Sequence, residues 1–148
     1  MGKRRSQPNC TGQLSGAKVI IKEVHNDALS ESVTIANKGA VAQPLCGWVL
    51  ATLRGEKFYA FPDDLVLLPK MAAIIHSGQG ALNNPSSGLL WTEEQVWNNQ
   101  GDVAVLFDAN GLEVDRYAYP HERIQGSADK RPLCLLRDGE TWRVVKEL

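Results

Sequence analysis

The sequence predicts an all-β domain of about nine short strands, closed as a sandwich or a barrel. Three observations predict it. Short apolar, β-branched runs recur at spacings of about 8–12 residues along most of the 148-residue chain. Turn residues separate them, and Asn110-Gly111 between two alternating runs is the strongest short-range hairpin signal a sequence carries. No stretch sustains a 3.6-residue apolar period for more than about one turn.

Residues 1–16, rich in Gly, Ser, Gln and Pro, read as a flexible, disordered basic lead-in. Val19 to Val24 is β-branched and of strand length. Ser32 to Ala36 alternates, and Asn37-Lys38-Gly39 stops it. Gly47 to Leu53, the tight turn Arg54-Gly55-Glu56, and Lys57 to Phe61 form a hairpin with aromatics on its second arm. Pro62-Asp63-Asp64 breaks the run, and Leu65 to Leu68 resumes it until Pro69. Met71 to His76 is the next strand, ended by Ser77-Gly78-Gln79-Gly80.

A polar stretch from Ala81 to Gly88 precedes Leu89-Leu90-Trp91, and Thr92 to Gln95 reads as one helical turn with Thr92 as its cap. Asp102 to Phe107 and Glu113 to Tyr119 flank the turn Asp108-Ala109-Asn110-Gly111. Leu133 to Leu136 and Trp142 to Val145, joined through Asp138-Gly139, make a last, shorter hairpin. The organisation is a basic tail (1–16), a sandwich (17–120), and a linker with a C-terminal hairpin (121–148) packed on or extending it.

With 43% hydrophobic and 22% charged residues the chain is an ordinary globular composition of one domain. Its longest apolar run is about six residues, against roughly 20 needed to cross a bilayer. No secretory signal is visible, and the compartment is left open. Met1-Gly2-Lys3-Arg4-Arg5-Ser6 fits the N-myristoylation pattern formally, but a charged Lys after the glycine suits a plain tail better. Lys3, Arg4 and Arg5 supply 3 of the 16 cationic side chains; the other 13 face 17 acidic ones, a net of −4. A mildly acidic body lacks the broad positive field that nucleic-acid binding requires. Cys10, Cys46 and Cys134 stand 36 and 88 residues apart, without the clustered spacing of a zinc site. At most one internal disulfide is open to them, with the pairing unassigned, and Cys46 reads as a small buried hydrophobe.

The segments fall in the order found in a known family. Val33-Thr34-Ile35-Ala36-Asn37 followed by Gly39, then Leu45-Cys46-Gly47-Trp48-Val49-Leu50, Phe61-Pro62, Leu68-Pro69 and Ile74-Ile75-His76-Ser77-Gly78 lead to Trp97-Asn98-Asn99-Gln100-Gly101-Asp102. From Val19 to about Tyr119 the chain resembles the lamin tail domain, the immunoglobulin-like module of nuclear lamins that also stands alone in prokaryotic proteins. Lys70 departs from it, standing where the family has glycine. The resemblance implies an immunoglobulin-like β-sandwich and a non-catalytic binding or scaffolding module, with protein partners and, secondarily, DNA. Heptads are absent, so the chain does not itself build a filament. The residues make physical sense alone. Gly47 lets the Trp48 indole enter the core, Phe61-Pro62 ends a strand at an edge, and Asn98, Gly101 and Asp102 suit a polar turn next to Trp97.

Chemistry-bearing side chains are scattered. His25, His76 and His121 each stand apart; Ser77 follows His76, but no nucleophile elbow of the Gly-x-Ser-x-Gly type occurs. Gly78-Gln79-Gly80 lacks the Gly-Lys-[Ser/Thr] ending of a phosphate loop. Asp108 to Gly111 is explained as a turn, since a calcium loop would need Glu where Tyr117 stands. No catalytic residue, metal or cofactor is therefore assigned. Four Trp remain. Trp48 is core, and Trp142 covers a sheet edge. Trp91 and Trp97, with Asn83, Asn84 and Ser86 of the polar loop, form the candidate interaction surface, with packing beneath the loop as the structural alternative. The alternative function is a nucleic-acid or polyanion-binding module; a small hydrolase is the remote one. Oligomeric state is left open.

Overall fold

The computed structural model describes residues 10–27, 30–81, 88–119, 131–139 and 141–146. Among these residues the chain forms β1 (Val19–Asp27), β2 (Ser30–Asn37), β3 (Gln43–Pro44), β4 (Val49–Thr52), β5 (Lys57–Ala60) and β6 (Val66–Leu67). They are followed by β7 (Ala72–Ser77), β8 (Leu89–Thr92), β9 (Asp102–Phe107), β10 (Glu113–Tyr119), β11 (Leu133–Asp138) and β12 (Thr141–Lys146). Two four-stranded sheets, ordered β1-β2-β7-β8 and β10-β9-β4-β5, make the sandwich; β3-β6 and β11-β12 are separate two-stranded ribbons. All pairings are antiparallel except β7 with β8. The all-β sandwich is the expected one. The expected helical turn over Thr92–Gln95 does not form. Thr92 ends β8, and its hydroxyl accepts the Glu94 amide at 3.2 Å, a hydroxyl turn competing with the helical cap.

The core lies between the sheets. Val33 and Ile35 of β2, Ile75 of β7, Leu50 of β4 and Leu106 of β9 point inward onto Trp48, and all are essentially inaccessible. Trp48 enters there because Gly47 turns the chain at φ +82°; a Cβ at that position would come within 3.1 Å of Ala109 Cβ. The indole N–H donates to the Thr11 carbonyl at 2.9 Å, so its one polar atom is satisfied. Lys70 adopts φ +68°, keeping the left-handed turn that glycine would suit, and its ammonium donates to the Lys38 carbonyl.

The lead-in is corrected in part. Residues 1–9 lie outside the described residues, but from Cys10 the segment is tied down. Cys10 forms a disulfide with Cys46, Cα to Cα 4.7 Å, so the buried Cys46 is a crosslink and not merely a small hydrophobe. The buried Gln43 side chain accepts the Leu14 amide and donates to the Gly12 carbonyl, and Gln13 accepts the Val19 amide. Asn37 does the same work nearby: its amide oxygen accepts from Lys18 and Gly39, and its nitrogen donates to Val41 and Leu67. All of its bonding capacity is met by backbone, which a buried amide needs.

The C-terminal hairpin packs on the outer face of the β10-β9-β4-β5 sheet. Leu133 is buried against Ala51, Val105 and Phe107, with Phe58 and Val144 beside them. Leu112 bridges to Cys134, the Leu135 amide donates to Gly111, and Glu113 binds both the Leu133 amide and the Arg116 guanidinium. The molecule therefore has a third layer over one sheet only.

Candidate functional site

At one side of the sandwich the edge strands β5 and β8 face each other, and their aromatic side chains close the gap. Tyr59 meets Trp91 at 5.7 Å between ring centroids, Trp91 meets Trp97 edge-on at 5.9 Å, and Trp97 meets Tyr119 at 6.5 Å. Tyr59 also packs edge-on against Phe61 at 5.2 Å. Edge-to-face contacts of this kind each add about 0.5–1.5 kcal/mol beyond burial. Burial pushes both the Tyr59 and Tyr119 phenols above their ordinary pKa. For Tyr119 the Asp102 and Glu31 carboxylates push the same way, so it stays a neutral donor and bonds the Asn98 carbonyl at 2.9 Å.

Beneath this ladder lies Glu31, a charged residue fully enclosed on the inner face of β2. Its carboxylate accepts from the Ser77 hydroxyl at 2.8 Å, the Val96 amide at 3.0 Å and the Trp97 amide at 3.4 Å. It fixes the irregular segment after β8 and so places Trp97. Sequence reading missed it, because a single Glu before an alternating strand looks like a solvent-facing end. The available signal was its phase: Glu31 is two residues before Val33 and shares its face.

Asp102 does the parallel task for the turn. Its carboxylate accepts the amides of Arg54, Asn98 and Val103, while Asn98 accepts Gln100 and Gly101 sits at φ +130°. Trp97, Asn98, Gly101 and Asp102 thus form a folding device, as do Gly47, Trp48, Phe61 and Pro62 at the β4–β5 end. Phe61 is buried and its amide donates to Trp48.

Of the expected interaction surface, Asn83, Asn84 and Ser86 lie outside the described residues. Trp91 is half-buried at the opening. Trp97 is 2% exposed and packed in the core. His76 and Ser77, adjacent on β7, point to opposite faces; Ser77 is committed to Glu31, and His76 Nε2 is buried without a hydrogen-bond partner among the described residues. Asp108 accepts the Asn110 and Leu112 amides, as a hairpin turn requires. Of the polar groups nearest the aromatic ladder, Glu31 and Asp102 are spent chiefly on backbone amides, while the Trp97 indole nitrogen is buried without a hydrogen-bond partner among the described residues.

The outer side of β5 carries a groove of 440 Å³ floored by Phe58, Leu133, Trp142 and Val144. Phe58 meets Trp142 edge-on at 5.6 Å, and the Arg137 guanidinium lies 5.1 Å over the Trp142 ring. Among the described residues no helix is long and apolar enough to cross a membrane.

The sequence matches the family model described as Lamin Tail Domain over residues 13–121, the span that holds both four-stranded sheets, the Gly47-Trp48 turn and the Trp97 to Asp102 turn. The chain belongs to the lamin tail domain family, whose members are immunoglobulin-like, non-enzymatic modules.

Proposed function

We propose that this chain is a non-catalytic module that holds a protein partner at the side of its sandwich where β5 and β8 meet, through the polar sequence stretch 81–88 and Trp91. The observation that carries the reading is the division of labour among side chains. Buried polar groups (Glu31, Asn37, Gln43, Asp102) are consumed by backbone amides and carbonyls, whereas large aromatics gather where two sheet edges meet. That arrangement offers contact area and no converging acid, base and nucleophile. The half-buried Trp91 is the aromatic that a partner reaches without unfolding the core.

The test is site-specific photocrosslinking in cells of origin, with a benzophenone side chain at Trp91 and, separately, at Thr34 on the outer face of β2 in the same sheet. A discrete crosslinked protein is expected from position 91 only. It should vanish when the polar stretch 81–88 is replaced by a short Gly-Ser turn, with the melting temperature held. Equal yields from both positions, or a product indifferent to that replacement, would remove the reading.

A further inference from the structure

Resting on the reading of the chain as a protein-binding module, we propose that the free edge of β5, together with the groove beneath the C-terminal hairpin, docks an extended acidic polypeptide segment by strand addition. Two hydrogen bonds set the orientation of this edge. Phe61 N–H donates to the Trp48 carbonyl at 3.1 Å, and Leu53 N–H donates to the Val103 carbonyl at 3.0 Å. With the registers Val49↔Ala60 and Val49↔Phe107, Leu50 and Thr52 of β4 bond toward β5, and Val49 and Ala51 toward β9. Tyr59 and Lys57 therefore bond back to β4, and the N–H and C=O groups of Phe58 and Ala60 point away from the sheet. β5 has no other strand beside it, and those groups have no backbone partner among the described residues.

The surroundings specify what fits. An added strand places alternate side chains on the outer face, where the groove offers an apolar floor of Phe58, Trp142 and Leu133. Among the described residues, Lys57, Arg137 and Arg143 lie around β5 against Glu56 and Glu94, cations that an acidic segment can meet on a body that is net acidic. Arg137 stacked on Trp142 keeps its in-plane donors for a carboxylate. A second copy of this chain meeting edge to edge would bring these cations together, which opposes self-pairing. A nucleic acid would meet the cations but leave the strand-directed amides and carbonyls unmatched.

The test is selection of a phage-displayed library of random 12-residue peptides on the immobilised full chain, followed by affinity and amide chemical-shift measurements on the enriched peptides. Acid-rich, proline-poor sequences are expected, with the largest shifts at Phe58 and Ala60. The Arg137→Glu/Arg143→Glu pair, at exposed positions, should weaken them at least tenfold. Ala60→Pro, which removes a donor aimed at solvent, should do the same with the melting temperature unchanged. Peptides indifferent to the charge-reversed pair, shifts centred on Trp91 and β8, or no enrichment would each overturn the proposal. Salt-dependent binding of duplex DNA lost in the charge-reversed pair, with no peptide enriched, would overturn it in favour of a nucleic-acid ligand. Shifts centred on Trp91 would leave the function proposed above standing while sinking this site.

Discussion

In the β1-β2-β7-β8 sheet burial follows the pleat: Val33 and Ile35 are sealed while Ser32, Thr34 and Ile74, on the other face, stay half open. In the β10-β9-β4-β5 sheet the alternation is gone. All four residues of β4 are buried, and Ala104, Val105, Leu106 and Phe107 of β9 are each inaccessible although successive side chains point to opposite faces. The backbones are alike; the difference is the β11-β12 hairpin, which lies beyond the span matched to the family and covers only the second sheet. A strand buried on both faces reads as a continuous apolar run, as Val103-Ala104-Val105-Leu106-Phe107 does. In this chain that run signals the extra layer. The lamin tail fold is thus extended on one face, and the extension supplies a wall of the groove beside β5.

The most severe way to break the comparison is to empty the outer face of the covered sheet. Phe107→Ala should destabilise the protein by about 3–5 kcal/mol, as a core truncation does, although the side chain points away from the sandwich interior. Leu133→Ala, from the hairpin side, should cost about 2–4 kcal/mol, and the double variant less than the sum, because both removals empty one contact. Urea denaturation of the four proteins measures this; additive losses would mean that the hairpin does not seal Phe107.

A smaller effect sharpens the comparison from the other sheet, whose inner face is not uniformly apolar. Glu31→Gln keeps the shape but turns one end of the carboxylate into a donor facing the Ser77 hydroxyl or the Val96 and Trp97 amides. A loss of about 1–3 kcal/mol is expected, the cost of buried donors left unmatched. Amide exchange should rise first at Val96 and Trp97, before the strands of either sheet; a uniform rise across the molecule would show that Glu31 supports the whole fold and not that segment.

How much of this was legible follows from what each feature rests on. β2, β7, β9 and the Asn110-Gly111 hairpin are local patterns, and the sequence displays them. β3 is two residues, Gln43 and Pro44, with no apolar run, and it is defined by its pairing with the distant Val66-Leu67 of β6. The lead-in looks flexible by composition, yet a disulfide and side-chain amides from distant segments hold it from Cys10 onward. Thr92 to Gln95 carries a helix cap's residues, but the same hydroxyl serves a turn, and the Glu31 carboxylate claims the amides that follow. Of the candidate site, Trp91 was legible as an aromatic beside a loop. The buried standing of Trp97 and the groove under Trp142 depend on long-range packing that no local pattern encodes.

The smallest effect is expected on the uncovered face. Thr34 sits on the outer side of β2, opposite Glu23 of β1 and Ile74 of β7. Thr34→Lys gives up some strand preference but gains an opposite charge directly across the ladder, a pairing worth about 0.2–1 kcal/mol. The long stem can lie along Ile74 while the ammonium reaches water. The net change should stay within about 0.5 kcal/mol, as for other solvent-facing substitutions. Val105→Lys, on the outer face of the covered sheet, should unfold the protein or strip the hairpin from it, because the same charge there has neither water nor a carboxylate. Parallel urea titrations of the two variants decide the matter. If both lysines were tolerated, the hairpin would not exclude water from β9, and the two sheets would be equivalent in solution.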